Sequence, residues 1–294
     1  MPRDHTLARR LHDRAEPVHA VTYFAPEARS ALDDLGYRGF WMGYFAARSA
    51  PLGPVPAQVV SAMFYNFAPA RVARALPAAW EVASPTAALA ARQQAAVAAL
   101  RRCGVGEDAA AVVADLTAKA AAAADVGGRP LFAANQALPW PDEPLARLWH
   151  ASTLLREYRG DGHVAVLVAE RVSGRECNIL HAAAGGVPED MIRRARDYDD
   201  EQWALHQDAL RGRGLLDDAG ELTGRGRELK QRIEDRTDAA ALTILDALDD
   251  DEIESLFRAL TPIARTVIAA GDVPAATPMG LNRDDLDDAG AYVN

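Results

Sequence analysis

The sequence is poor in several residue types, and each shortage narrows what the chain can be. Cys103 and Cys177 are the only cysteines among 294 residues. They are too few for a disulfide framework, so a reducing, cytoplasmic setting is expected. No apolar run reaches the roughly 18 residues of a membrane helix, and "MPRDHTLARRLHDRAEP" is broken by charge every few positions, so neither a membrane span nor a signal peptide is expected. Alternating β-branched runs are almost missing, which leaves room for short hairpins at most. GxSxG, a P-loop and GxGxxG after a strand are also missing, so hydrolases, NTPases and dinucleotide enzymes of those types gain no support, and no cofactor is expected. Lysine is confined to Lys119 and Lys230, and the net charge of −10 argues against broad attraction to nucleic acid. One basic face on an acidic protein stays open.

Helix-forming sequence is abundant. Alanine and leucine recur at three- and four-residue spacing over 86–102, 107–125, 142–157, 225–248 and 252–269, which predicts a mainly α protein. The chain is long enough for two domains with well-buried cores. "YRGFWMGYFAARSA" at 37–50 and "YRGDGHVAVLVAERV" at 158–172 open alike, and "AALRRCGVGEDAAAVVADLTAKAAAAAD" aligns with "DALRGRGLLDDAGELTGRGRELKQRIED". The chain therefore reads as an N-terminal helical arm at 1–19, a first unit at 20–140, a second at 141–270 and an acidic, mobile tail at 271–294.

In the second unit a helix ends at Arg213-Gly214, an apolar pair follows, "DDAGE" supplies a turn, and "LT" leads into another helix. This resembles the wing of a winged-helix domain of the multiple-antibiotic-resistance regulator type, where a Leu-Thr-x-x-Gly segment follows the wing. "DDEQWALHQDAL" would be the recognition helix, capped by Asp199 or Asp200. Through "YFAPEARSALDDLG", "YFAARSAPLGPV", "FYNFAP", "REYRGDGH" and "RGLLDDAGELTGRG", nearly the whole chain resembles a family of actinobacterial helix-turn-helix proteins. The resemblance implies two tandem winged-helix-like units with short β-hairpin wings, an intrachain pseudo-dimer.

Three functions fit that scaffold. As a regulator, the chain would grip DNA through Arg211, Arg213, Arg225, Arg227 and Lys230. Asp217, Asp218, Glu221, Glu228, Glu234 and Asp235 nearly cancel that charge, and the wing tip holds no base, so DNA is expected to be a weak partner. The matching span of the first unit sets Arg101, Arg102 and Lys119 against Glu107, Asp108, Asp115 and Asp125, which leaves it no phosphate grip.

As a small-molecule binder, the chain would hold an apolar or aromatic, anionic ligand between its units. Candidate contacts are Trp41, Tyr44, Arg48, Tyr65, Arg159, His163 and His19. Trp41 and Phe45 also suit an ordinary core, and His19 suits plain packing. Arg48 lies among apolar residues and needs an acid, either the ligand's or Glu27. As an enzyme, the chain would use Asp161 and His163 as an acid–base pair. The competing structural reading makes Gly160 and Gly162 the end of one helix, Asp161 the cap of the next and His163 a first-turn residue.

Cys177 and His181, four apart on a helix opened by Ser173 and Glu176, could join His163 at a metal, but no stronger motif supports this. The active form is expected to be a monomer or homodimer, with no membrane partner. Loss of Arg48 or His163 is expected to weaken binding and spare the fold.

Overall fold

Fifteen α-helices form among the described residues of a computed structural model, which describes residues 3–274 together with Thr277 and Leu286. They are α1 (Thr6–Phe24), α2 (Pro26–Asp34), α3 (Gly39–Ser49), α4 (Ala57–Met63), α5 (Pro69–Ala75), α6 (Ala79–Val82), α7 (Pro85–Cys103) and α8 (Glu107–Ala123). There follow α9 (Pro130–Gln136), α10 (Pro144–Ala169), α11 (Gly174–Ala183), α12 (Glu189–Arg196), α13 (Asp200–Gly212), α14 (Gly224–Leu242) and α15 (Asp250–Ala269). The periodic segments read from the sequence fall within or across α7, α8, α10, α14 and α15. Most of the expected tail lies outside the described residues.

The organising element is α10, 26 residues long and buried on most of its faces, including Leu148, Trp149, Leu154, Tyr158 and Leu167. A helix buried on most faces must be enclosed by others, and here α1, α7, α8, α9 and α14 surround it, supplying partners for its charged groups as well as its apolar ones. The main core joins α1, α7, α8, α10 and α15 through residues such as Val18, Leu100, Trp149 and Phe257. A second core gathers the end of α10 with α11 to α14, and a third gathers α3 to α7 around Phe45, Phe64 and Phe67. The opening segment is helical and packed. Leu7, Leu11, Ala15 and Val18 of α1 are buried in the main core.

Local capping follows the sequence. Asp199 caps α13 by accepting from the Gln202 N–H at 2.7 Å, and Ser173 with Glu176 forms a reciprocal capping box on α11. Thr223 caps α14, accepting from the Gly226 N–H at 3.0 Å. A side chain at Gly226 would place its Cβ 2.1 Å from the Leu215 carbonyl oxygen. That close approach explains glycine at the last position of the Leu222-Thr223-x-x-Gly226 segment.

Three expectations need correction. Tyr37-Arg38-Gly39 does precede a helix, but Tyr158-Arg159-Gly160 lies inside α10, which runs through Gly160 and Gly162 without a break. The glycines end nothing because neighbouring helices hold this stretch, and tertiary packing outweighs their low propensity. The hairpin wings do not form strands. Among the described residues the β-structure is a single antiparallel bridge, Leu216 to Leu222, flanked by the Asp217 N–H donating to Glu221 O at 2.9 Å. At the matching place in the first half, Gly104, Val105 and Gly106 simply join α7 to α8.

Candidate functional site

A cavity of about 900 Å³ opens where α1, α3, the α4–α5 turn, α10, α11, α12 and α14 meet. Its frame is locked by contacts between the two halves of the chain. The Tyr65 hydroxyl donates to Val172 O at 3.0 Å, and the Asn178 side-chain amide donates to Asn66 O at 2.9 Å. Gly174 lets the backbones meet there, since a Cβ would sit 1.8 Å from Tyr65 O.

Six of the seven residues suggested as ligand contacts line this space: Trp41, Tyr44, Arg48, Tyr65, Arg159 and His163. They come from α3, the α4–α5 turn and α10, up to 122 positions apart in the chain. The seventh, His19, lines a neighbouring small void of about 30 Å³ with Tyr23, Tyr44, Arg48 and Glu157. It is fully committed there. Thr153 spends its proton on Trp149 O at 2.9 Å, so His19 Nδ1–H donates to Thr153 Oγ1 at 3.0 Å and Nε2 accepts from the Tyr23 hydroxyl at 2.9 Å. Plain packing accounts for His19.

One end of the cavity is aromatic. Trp41, Tyr44 and Phe67 stand with ring centroids 5.6–5.7 Å apart, and Phe64 lies beside them with the Arg48 guanidinium 4.2 Å above its ring. Arg48 takes neither Glu27 nor an empty space as partner. Its Nε and Nη2 donate to the two Glu157 oxygens at 3.2 Å each, and Nη1 donates to the Tyr44 hydroxyl at 3.2 Å. Glu27 is engaged by Arg102 on the far side of α2. Glu157 also meets Arg156 at 2.8 Å, and Arg156 lies 3.5 Å from Glu16. Burial raises the Glu157 pKa, but Arg156 and Arg48 outweigh it and hold the carboxyl well below its usual range.

The other end is a charge network of α1, α10 and α14. Arg159 pairs with Asp238 at 2.8 Å, Arg9 with Asp238 at 3.4 Å, and both Arg9 and Lys230 reach Glu234. Beside it, Thr237 donates to Ile233 O at 2.7 Å, so His163 Nδ1–H must be the donor to Thr237 Oγ1 at 3.0 Å. Burial pushes the His163 pKa down to about 4. At neutral pH the ring is uncharged, with Nε2 an acceptor that has no partner among the described residues.

Asp161 faces away from this space. Its Oδ2 accepts from the Phe132 N–H at 2.9 Å, so it caps α9 from across the fold, not a helix of its own. No contact joins Asp161 to His163 among the described residues: the carboxylate turns to the Phe132 N–H of α9, and the imidazole is held by Thr237. Cys177, His181 and His163 all line the cavity, but no three His, Cys, Asp or Glu side chains are grouped to hold a metal ion among the described residues. Burial keeps the Cys177 thiol protonated, with its pKa raised to about 11.

The residues suggested for DNA are mostly occupied. Arg211 donates to Asp208 at 2.7 Å and Asp217 O at 3.1 Å, Arg213 pairs with Glu176 at 3.2 Å, and Arg227 donates to Leu222 O. Lys230 turns into the cavity, and Arg225 is exposed. Phe67, which the "FYNF" stretch suggested beside Tyr65, lines the cavity too, whereas sequence reading missed Arg196, Asn178 and the α1 groups Arg9, His12 and Asp13. The signal for α1 was available in the charges that interrupt its apolar positions, since a buried helix carrying charge must face a polar space.

Fold and site together define an all-α protein whose two halves enclose one large polar and aromatic cavity. Residues 8–274 match the model of a helix-turn-helix family, and the chain belongs to that family. No curated protein and no solved structure matches it. No helix among the described residues is long and apolar enough to cross a membrane.

Proposed function

We propose that the chain is a small-molecule-binding protein on a winged-helix-like scaffold, with its ligand held between two copies of one helical unit. The observation that carries this is the cavity itself. Six residues picked for their chemistry, from both halves, line one space of about 900 Å³, within the usual range of ligand pockets. In chain order α5, α7 and α8 stand to α12, α13 and α14 as the aligned stretches of sequence do, which supports the two-copy reading, and the bridge between Leu216 and Leu222 takes the place of a wing. The rings around Trp41 suit an apolar or aromatic body, while His163 Nε2 suits a donor on the ligand.

N-phenyl-1-naphthylamine, an uncharged probe that fluoresces in apolar surroundings, tests this reading. One saturable site per chain is expected, lost in Val164→Trp, which fills the cavity from α10, while the melting temperature is kept. Absence of saturable binding by the parent chain defeats the reading. Purification under mild conditions with native mass spectrometry identifies any molecule already held.

Family membership favours a second reading, a ligand-responsive regulator that meets DNA through α13 and the turn before α14. The cavity would then be its sensor, closed partly by α12 and α14 on either side of that region.

A further inference from the structure

At the end of α12, Arg196 lines the cavity with no acid paired to its guanidinium among the described residues. Arg48 and Arg156 share Glu157 and Glu16, while Arg9, Arg159 and Lys230 share Glu234 and Asp238. Arg196 is only 8% exposed, and among the described residues its guanidinium makes no hydrogen bond or ion pair. Its Nε is sealed from solvent without an acceptor, and its central carbon lies 4.2 Å above the Phe67 ring. The adjacent carboxylate, Asp197, is taken by Arg71 at 2.8 Å and by Arg74. Arg175 holds the Arg196 and Asp197 carbonyls, so the turn that seats Arg196 is itself fixed.

A buried cation without a partner is costly to a fold, and the nearby charges make it worse. Burial first, then Arg48 and Arg71, draw the Arg196 pKa down to about 10, so the group stays charged at neutral pH. Phe67 beneath it belongs to the aromatic cluster with Trp41 and Tyr44. A cation placed over an aromatic floor, facing a cavity and lacking a counter-charge, is arranged for an acid on a ring-bearing molecule.

We infer that Arg196 seats the acidic group of the ligand, and that the ligand is an aromatic monoanion whose carboxylate or sulfonate-like oxygens meet the guanidinium while its rings lie against Trp41, Tyr44 and Phe67. The inference rests on the cavity being a binding site. One unmatched positive charge suits one negative charge, whereas a phosphate monoester would bring a second charge with no cation to meet it.

The test compares two probes with the same aromatic body, N-phenyl-1-naphthylamine and its sulfonate, 8-anilinonaphthalene-1-sulfonate. The sulfonate is expected to bind the parent chain at least about tenfold more tightly, the worth of one buried charge-assisted contact. Arg196→Gln should remove that preference without changing binding of the neutral probe, and Arg196→Lys should restore part of it. On the parent chain alone, 1-naphthoate should displace the sulfonate probe about tenfold better than 1-naphthyl phosphate. Equal binding of the two probes, or equal displacement by the two acids, overturns the role of Arg196 and leaves the cavity reading standing. Failure of both probes to bind overturns the cavity reading and this inference with it.

Discussion

The Asp161 carboxylate accepts a hydrogen bond from the Phe132 N–H at 2.9 Å, and so joins the middle of α10 to the first turn of α9. Helix α9 begins at Pro130 with no side-chain cap of its own, and Asp161 fills that role from 29 positions away. Asp161→Ala is expected to cost about 0.5–2 kcal/mol of unfolding free energy, the range for a lost cap, and Asp161→Asn clearly less. Binding of N-phenyl-1-naphthylamine should be unchanged in both. Urea unfolding read by circular dichroism measures the first quantity; a probe affinity that collapsed in Asp161→Asn would return the carboxylate to the cavity.

Arg48 is a structural residue before it is a ligand contact. It closes a two-oxygen ion pair with Glu157, which is buried between Arg48 and Arg156. Arg48→Ala was expected to spare the fold, but it would leave Glu157 with half its compensation. Breaking a buried pair from one side costs about 3–5 kcal/mol, so both Arg48→Ala and Glu157→Gln should lower the melting temperature sharply. The pair replaced together by Met and Leu should recover part of the loss, and a fully additive double variant would show that the two side chains act independently.

The pH dependence of stability has a defined sign. Burial holds His150, His163 and His181 down to about 4. Their unfolded values lie near 6.5. Between those limits the unfolded chain binds protons that the folded chain refuses, so stability is full above about 6.5 and falls as pH drops toward 4. Asp13 and Asp161, raised by burial to about 6, act the other way from about 6 down to 4, because the folded chain protonates them first. Histidines outnumber these acids, so the melting temperature should fall from pH 7 to pH 5. His163→Asn should flatten that slope by up to about 1.4 kcal/mol per pH unit, the limit for one proton. A slope identical to the parent's would show that His163 titrates normally in the fold.

The helices were legible because their periodicity is long and their caps are local: Asp199, Ser173 and Thr223 each sit within three residues of the group they satisfy. The break expected at Gly160 and Gly162 was illegible because its answer is tertiary, with Asp161 bound to α9 and Arg129 donating to Tyr158 O and Ala240 O on either side. The aromatic half of the cavity could be read from "FWMGYF", since so many rings on one short helix exceed what a surface needs. The charged half could not, because Glu157, Glu234 and Asp238 find their arginines 75 or more positions away or across a helix packing that no spacing reveals. Arg196 was hidden for the opposite reason. It follows two other arginines of α12, Arg193 and Arg194, that pair with acids at i−4; Ile192 at its own i−4 position was a weak sign, and burial completes the difference.

Membership of a helix-turn-helix family makes DNA binding the obvious experiment, and the surface of α13 gives its expected result. The helix that would enter a major groove exposes Asp200, Glu201, Asp208 and Leu205, the last 64% exposed, with no lysine or arginine among them. A phosphate-rich groove repels such a face. Arg211 at its end is spent on Asp208 and Asp217, and Arg213 on Glu176. Arg232 and Arg236 on α14 close on Glu170. On this face Arg225 stands exposed without a partner among the described residues, and one such arginine releases too few counterions to hold a duplex at physiological salt. No specific complex tighter than about micromolar is therefore expected in gel-shift titration against genomic fragments, with or without 8-anilinonaphthalene-1-sulfonate in the cavity. If a nanomolar footprint appeared and weakened strongly in Arg225→Ala and Arg227→Ala, those two side chains would have left their places in this structure to contact phosphate. The regulator reading would then displace the simpler binding protein, and the salt slope of that complex would count how many other arginines had moved with them.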